Sequence, residues 1–457
     1  MTQVSGHNSG ANTRGDQLNA YIAGSQNRTL PPEIVDAAKK ALLDYVGVAI
    51  GGSRENVSVA TQKTAEAWGG AGNAQIFMGG ATTPALAALV NGAMAHAMDY
   101  DDTHTDGAGH MSGPCWSAAF AMAGHHGLGE METLSGFVTA FEVMSRLGGG
   151  GVTGVGRNLH RRGFHPTSIF GRIGAAAAAC AMMGLDEKRI AYALGVSATT
   201  AAGLLGSFGT DSKPFHAGKA AMDGILSAQL AENGFVSATQ LFEIEGGLVD
   251  AFIQNGEVDI PPLDFDAKWA ILSNGFKPFA CCRATQPSIQ TARKLADRVG
   301  DRKVAKVTAK VHPNAIVAAG KLNPQTALEC KFSVPFCIAL GLRGHRAVYT
   351  DFSEEQMQNG AVMDIVPLVE LEVVQDQLAC ESYMDVVMED GEVLHGETAV
   401  VLGHPDNPMD WDDLLTKFQG LVEPVLGEEK TRALYETVHN FETPGSLARM
   451  TELVRAA

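Results

Sequence analysis

Residues 170–183 read FGRIGAAAAACAMM, and this run of small apolar side chains decides the fold. Alanine is the strongest helix former, and a helix face made of alanine and glycine lets a second helix approach closely. Similar alanine-rich stretches with helical spacing of their apolar positions recur at residues 84–98, 116–126, 134–147, 187–205 and 217–233. The pattern predicts a bundle of closely packed helices rather than a sheet protein.

The hydrophobic pattern differs in the second half of the chain. Residues 303–312 (KVAKVTAKVH) alternate apolar and polar side chains, and residues 367–374 and 383–388 do likewise. A period of two is typical of half-buried strands, and Asp390-Gly391 is a favoured hairpin turn. Helical spacing returns from Trp411 to the C-terminus.

These patterns predict a mainly α fold, in which a smaller α+β domain is inserted into a large all-helical domain. We expect a flexible tail over residues 1–15, a helical domain over residues 16–273 and 405–457, and the inserted α+β domain over residues 274–404. The last helices would then rejoin the first domain, and the inserted domain would act as a lid.

Charge excludes several classes of partner. The chain has 51 acidic and 34 basic residues, a net charge of -17, so nucleic acids and anionic membrane surfaces are repelled. The uncharged stretch at residues 190–210 contains four glycines, which favours a buried helix and a glycine-rich loop over a membrane span. The polar N-terminus and the odd count of seven cysteines, without framework spacing, predict a soluble, cytoplasmic protein with reduced thiols.

Four polar clusters fall on expected loops, where functional sites usually lie. They are residues 96–110, 163–168, 211–219 and 277–283. The first suggests a metal-dependent hydrolase as one alternative, with ligands drawn from His96, Asp99, Asp102, His104 and His110. No HExxH motif and no zinc or calcium loop spacing supports it, so we predict no metal.

Each cluster also has a structural interpretation. The first can be a solvated acidic turn, and Thr167 or Ser168 can cap the helix that follows. The adjacent cysteines near residue 282 can simply pack in the interior. Residues 151–156 (GVTGVG) imitate half of a dinucleotide-binding fingerprint, but no strand precedes them, so we expect no nucleotide cofactor.

Six stretches together resemble the MmgE/PrpD family, which includes 2-methylcitrate dehydratase, cis-aconitate decarboxylase and iminodisuccinate epimerase. They are HAMDYDDTH (96–104), GFHPTSIFGRIGAAAAA (163–179), KPFHAGKAA (213–221), LFEIEGGLVDAF (241–252), FKPFACCRATQPSIQTA (276–292) and KFSVPFCIA (331–339). The resemblance extends from about residue 16 to 450. It implies a helical domain built from both chain ends, a smaller lid domain, a homodimer, and catalysis without a metal, nucleotide or iron–sulfur cluster.

The resemblance also implies the site residues. The family's catalytic positions correspond to Asp99, His110, His165, Lys213 and Lys277. Its substrate-contacting positions correspond to Thr103, Cys282 and Phe336. Cis-aconitate decarboxylases have a tyrosine at the last of these positions, and its replacement by phenylalanine counts against that activity.

The implied residues have a coherent chemistry. Lysines bind substrate carboxylates and stabilise charge on an enediolate-like intermediate, while two histidines exchange protons with carbon. We therefore expect a cofactor-independent lyase acting on a small di- or tricarboxylate, with a hydro-lyase of the 2-methylcitrate dehydratase type favoured. Iminodisuccinate epimerase and cis-aconitate decarboxylase activities are alternatives within the family. A non-catalytic carboxylate-binding protein is a more distant alternative, as is the metal-dependent hydrolase.

Overall fold

A computed structural model describes residues 13–242, 244–254, 258, 260 and 262–455, apart from the side chain at position 152. Residues 1–12 of the predicted tail lie outside this range. The first helix begins at Arg14, and the side chain of Thr13 caps it by accepting a hydrogen bond from the backbone N–H of Asp16.

The N-terminal part is helical. Its helices are α1 Arg14–Ala23, α2 Pro32–Gly51, α3 Asn56–Trp68, α4 Pro84–His96, α5 Ser112–His126, α6 Glu130–Gly148, α7 Val155–Arg161, α8 Pro166–Met183, α9 Glu187–Thr199, α10 Ser212–Glu232 and α11 Leu248–Ile253. Two short antiparallel pairs accompany them, β1 Ala74–Gln75 with β2 Ala81–Thr82 and β3 Thr103–His104 with β4 Asn274–Gly275. Each alanine-rich stretch begins on one of these helices, although α9 ends at Thr199 rather than at residue 205. The predicted mainly α fold is confirmed.

Small residues let the central helices touch backbone to backbone. Gly92 on α4 faces Gly218 on α10, and a Cβ atom on Gly218 would lie 2.0 Å from the carbonyl oxygen of Leu89. Helix α8 is buried along almost its whole length, which accounts for its lack of polar surface positions. The alanine and glycine excess therefore sets the distance between these helices.

A second part combines helices with a four-stranded sheet. Its elements are α12 Gln286–Val299, β5 Val304–Val311, α13 Pro313–Ala319, α14 Ala327–Cys330, α15 Val334–Leu342, α16 Glu354–Met357, α17 Gly360–Met363, β6 Val369–Val373, β7 Ser382–Met388 and β8 Val393–Thr398. The strand order is β6-β5-β7-β8, with β5 parallel to β6 and the other pairs antiparallel. The three strand patterns and the hairpin at Gly391 are all present.

The last helices return to the first part of the chain. They are α18 Trp411–Leu426, α19 Glu428–His439 and α20 Ser446–Leu453. Lys417 on α18 forms a buried ion pair of 2.6 Å with Asp44 on α2. Lys39, also on α2, donates to the carbonyl oxygen of His439. The domain boundaries at residues 273 and 405, and a lid role for the α+β part, stay predictions.

In the described part of the chain, every helix is too short or too polar to cross a membrane.

Gly218→Ala should destabilise the protein by about 1–3 kcal/mol, because the added methyl group has no room against α4. Gly420→Ala on α18 is the matched control, since nothing lies within 4 Å of its added Cβ. It should stabilise the fold by roughly 0.5–1 kcal/mol, because alanine favours a helix interior over glycine. Urea unfolding of both variants measures this, and equal effects would contradict close packing at Gly218.

Candidate active site

A cavity of about 840 Å³ lies between the helical part and the α+β part. Its walls come from the loop after α4, the beginnings of α8 and α10, the segment before α12, and α13 with α14. Seven predicted site residues line it, namely Asp99, Thr103, His110, His165, Lys213, Lys277 and Cys282. The fold thus gathers into one cavity residues that are almost 200 positions apart in the chain.

Asp99 is held between two lysines. Its Oδ1 atom accepts hydrogen bonds from Lys213 Nζ at 2.7 Å and Lys277 Nζ at 3.1 Å, and Lys277 also donates to the Asp99 carbonyl oxygen. Burial raises the pKa of the Asp99 carboxyl, but the two ammonium groups outweigh it and hold this pKa below its ordinary value. We call these residues the Asp99 triad. It carries one anion and two cations.

The backbone of Asp99 is in the left-handed region, with φ of 54°. This conformation is uncommon outside glycine and is best tolerated by Asn and Asp. It lies just beyond the end of α4, where the chain turns from the helix toward the cavity. The triad's three hydrogen bonds hold this turn, so the residue with the strained backbone is also the one whose carboxylate binds the two lysines.

His110 is oriented by a second carboxylate. Asp101 Oδ1 lies 3.2 Å from His110 Nδ1, and Asp101 Oδ2 lies 2.8 Å from His96 Nδ1. Burial raises the pKa of the Asp101 carboxyl, but the two histidines outweigh it, so its pKa is well below the ordinary value. An ionised carboxylate can only accept, so it favours a proton on His96 Nδ1, with which it forms a hydrogen bond. The contact with His110 Nδ1 is close but lacks hydrogen-bond geometry. His110 Nε2 faces Asp99 Oδ1, 3.8 Å away.

His165 is a neutral imidazole at the start of α8. It occupies the N-cap position, and its Nδ1 atom lies 3.0 Å from His216 Nδ1, so one ring donates and the other accepts. Burial, reinforced by His96 and Lys213, brings the pKa of His165 well below its ordinary value. A neutral ring beside the cavity can accept a proton from a bound molecule.

The expected caps of α8 are wrong. The helix begins at Pro166 with His165 at the N-cap, so Thr167 and Ser168 are already inside it. The hydroxyl of Thr167 instead accepts a hydrogen bond of 3.0 Å from the backbone N–H of His110. This bond ties the loop that carries His110 to the helix that carries His165.

Two of the suggested metal ligands have structural partners. Asp102 accepts hydrogen bonds from the backbone and hydroxyl of Ser112 and from Asn274. His104 lies between the backbone N–H of Gly107 and the carbonyl oxygen of Ala270. Among the described residues, the group that could offer ligands to a metal ion is His96, Asp101 and His110, whose ligand atoms lie within 4.8 Å of one another.

The predicted substrate contacts divide into two groups. Thr103 and Cys282 line the cavity, and the Oγ1 atom of Thr103 is buried without a hydrogen-bond partner among the described residues. Burial, then Asp99, raises the pKa of the Cys282 thiol to about 11, so it is a protonated thiol rather than a nucleophile at neutral pH. Phe336 is fully buried 6.2 Å from the Phe352 ring and is not a cavity-lining residue, so a substrate contact there is not supported.

Sequence reasoning missed Asp101 and His216 as parts of the site. Both stand inside quoted motifs, HAMDYDDTH and KPFHAGKAA, and this is the only signal that pointed to them. Their roles depend on which ring nitrogen each one faces, and spacing along the chain does not reveal that.

Comparison with known proteins gives matches along nearly the whole chain. A family model described as MmgE/PrpD N-terminal domain matches residues 16–261, and one described as MmgE/PrpD C-terminal domain matches residues 279–443. The cis-aconitate decarboxylase of Homo sapiens is 26% identical, with 95% of this chain and 93% of the relative aligned. The cis-aconitate decarboxylases of Mus musculus and Aspergillus terreus are 24% and 23% identical, covering 95% and 93% of this chain and 92% of each relative. This similarity supports a lyase-type function.

Asp99→Asn should destabilise the protein by about 3 kcal/mol at pH 7, because it leaves two buried ammonium groups without their carboxylate. The folded-state pKa of Asp99 is lowered, so its stabilising effect is present above pH 4 and is lost as the pH falls through the folded value. The difference in the free energy of unfolding between wild type and variant should therefore be about 1 kcal/mol smaller at pH 3 than at pH 7.

Urea unfolding at both pH values measures this difference, with Asp106→Asn as the control in the same loop. Asp106 accepts a backbone N–H from Gly151 at an exposed position, so its replacement should change stability little at either pH. If Asp99→Asn and wild type have the same free energy of unfolding at pH 7, or differ equally at both pH values, an ionised Asp99 in the triad is contradicted.

Proposed function

Since this chain belongs to the MmgE/PrpD family, we propose that it is a lyase acting by acid–base chemistry next to a carboxylate of a small di- or tricarboxylate. The proposal includes a homodimer, which the family resemblance implies. The observation that carries it is the Asp99 triad with two imidazoles beside it in one cavity.

The charge of the cavity suits a polyanion. The protein as a whole carries a net charge of -17, yet the described residues that line the cavity include five Lys or Arg and two Asp or Glu. Of the two carboxylates, Asp99 is engaged by its lysines and Glu329 is paired with Lys321 at 2.7 Å. Local positive potential of this kind concentrates anionic substrates.

The triad would hold the reacting carboxylate. A substrate carboxylate beside Lys213 and Lys277 would accept their remaining N–H groups, because each ammonium has three donors. When the neighbouring carbon loses a proton or carbon dioxide, negative charge moves onto that carboxylate. The two fixed cations stabilise this charge more than that of the ground state, which lowers the barrier.

The two histidines would carry the protons. His165 is neutral and can take a proton from carbon. His110 lies between the carboxylates of Asp99 and Asp101 and would deliver the second proton. In a hydro-lyase that proton goes to the departing hydroxyl group, so that water leaves and a double bond forms.

We favour the hydro-lyase because the site offers a separate imidazole for each of its two proton transfers. Cis-aconitate decarboxylation is the second candidate, favoured by the relatives with that activity. It needs loss of carbon dioxide followed by protonation of carbon, and His110 can supply that proton. Phe336 no longer counts against it, because its ring does not line the cavity.

A substrate panel tests the proposal. Purified protein is incubated separately with 2-methylcitrate, cis-aconitate and iminodisuccinate, and the products are followed by NMR. We expect loss of water from 2-methylcitrate, whereas loss of carbon dioxide from cis-aconitate would establish the second candidate. Epimerisation of iminodisuccinate alone would replace the lyase by an epimerase. Binding without turnover of any compound would contradict an enzyme acting on these compounds.

Elemental analysis and chelation separate the metal-dependent alternative. Stoichiometric metal, together with loss of activity when it is stripped, would overturn acid–base chemistry by side chains alone. The group His96, Asp101 and His110 would then be the first place to look for the ion.

His110→Ala and Lys213→Ala should each lower kcat by at least about 100-fold, since each removes a proton carrier or a charge that acts in the transition state. Thermal melting should move by only a few degrees, because Asp99 keeps Lys277 as a partner in either variant. His395→Ala is the control, an exposed histidine paired with Asp385 on the sheet, and it should retain full activity. Near-normal rates in both site variants would defeat the assignment.

A further inference from the structure

Arg283 lines the same cavity and has no part in the chemistry above. It begins a short 3-10 helix, Arg283–Thr285, directly after Cys282 and six residues after Lys277. The short segment that brings a lysine to the Asp99 triad therefore also brings a guanidinium group to the cavity wall.

Among the described residues, the guanidinium has no anionic partner. Its Nη1 atom is buried without a hydrogen-bond partner there, and no carboxylate of these residues lies within 4 Å of it. Burial lowers the pKa of Arg283 to about 10, so the side chain is still a cation at neutral pH. A buried polar group left without a partner costs free energy, more so when it is charged.

The cavity-lining groups beside Arg283 do not supply a negative charge to pair with it. His404 and Cys380 line the cavity with it, and burial, then Arg283 itself, lowers the pKa of His404. Burial raises the pKa of the Cys380 thiol, which is therefore uncharged at neutral pH. The two carboxylates of the cavity are committed elsewhere, Asp99 to its lysines and Glu329 to Lys321.

We propose that Arg283 binds a second carboxylate of the substrate and so selects di- and tricarboxylates over monocarboxylates. The inference rests on the proposed function, in which the first carboxylate lies at the Asp99 triad. The planar guanidinium offers two parallel N–H groups that match a carboxylate, whereas the triad's lysines act as point charges. Arg283 is thus a specificity-determining residue, and the reacting atoms stay at the triad.

Kinetics on matched substrates test the contact. Arg283→Gln should raise KM for the polycarboxylate that is turned over by about 10- to 100-fold, the range for lost hydrogen bonds to a charged group. The effect on kcat should be smaller. For an analogue whose distal carboxylate is replaced by a carboxamide, wild type and variant should agree within about threefold, because the contact is already absent.

Two further variants make the result interpretable. Arg283→Lys keeps the charge but loses the planar fork, and its KM should lie between those of wild type and Arg283→Gln. Arg302→Gln is the control, an exposed arginine paired with Asp390 and Glu392 on the sheet, and it should behave as wild type. Equal losses on both substrates in the Arg283 variants would show a structural role and overturn the proposal.

Binding of tricarballylate, measured by calorimetry, needs no turnover and separates this inference from the proposed function. Wild type and Arg302→Gln should bind it, and Arg283→Gln should bind it at least about tenfold more weakly. Arg283-dependent binding without turnover of any panel compound would sink the proposed function but keep the contact. If Arg283→Gln turns over a panel compound with unchanged KM and binds tricarballylate with unchanged affinity, the Arg283 contact is overturned and the proposed function is kept.

Discussion

The Asp99 triad is the interaction on which the rest of the site depends. Its three side chains come from the loop after α4, the first turn of α10 and the segment before α12. A buried carboxylate is costly unless it is paired, and a buried ammonium group is costly for the same reason. Each charged side chain of the triad is therefore stabilised by the others. Their contact joins the helical part to the segment that leads into the α+β part. One cation remains in excess, which makes this point attractive to an anion.

A polar network continues outward from the triad to His96, which is a neutral imidazole because burial lowers its pKa to about 3. His110 lies between Asp99 and Asp101, and Asp101 in turn lies against His96. Such a network is oriented before any ligand arrives, so little reorganisation is needed when charge develops on a bound molecule. The low polarity of the buried surroundings strengthens each hydrogen bond in the network. Low polarity also makes an unpaired polar group costly, and the buried Asp102 and His104 side chains accordingly have hydrogen-bond partners.

The fold could be predicted from the sequence because its signals are local. The run FGRIGAAAAACAMM forms α8 and KVAKVTAKVH forms β5, since helix and strand periods are written in successive residues. The site was accessible only through the resemblance, which named Asp99, His110, His165, Lys213 and Lys277. Spacing alone did not separate the metal-ligand interpretation of Asp102 and His104 from their structural roles, because these depend on partners distant in the chain.

The errors have the same origin. The family motif predicts Phe336 at the site, but its side chain is buried in the interior of the α+β part near Phe352. Asp101 was overlooked because its importance lies in serving two rings at once. Arg283 carries no distinctive spacing either. What marks it is the lack of a partner in a buried position, a property that exists only once the chain is folded.

The return of the last helices to α2 has a consequence for biosynthesis. Lys39 finds its acceptor at His439, 400 residues later, and Asp44 meets Lys417 only when α18 has been made. At the usual rate of translation, the ribosome needs roughly 20–80 s to synthesise the residues between Lys39 and His439. During this interval α2 has emerged with an unpaired carboxylate and an uncovered apolar face, so the nascent helical part must wait in an incomplete state. Completion of the N-terminal core is therefore a late event, set by the synthesis of the other end of the chain.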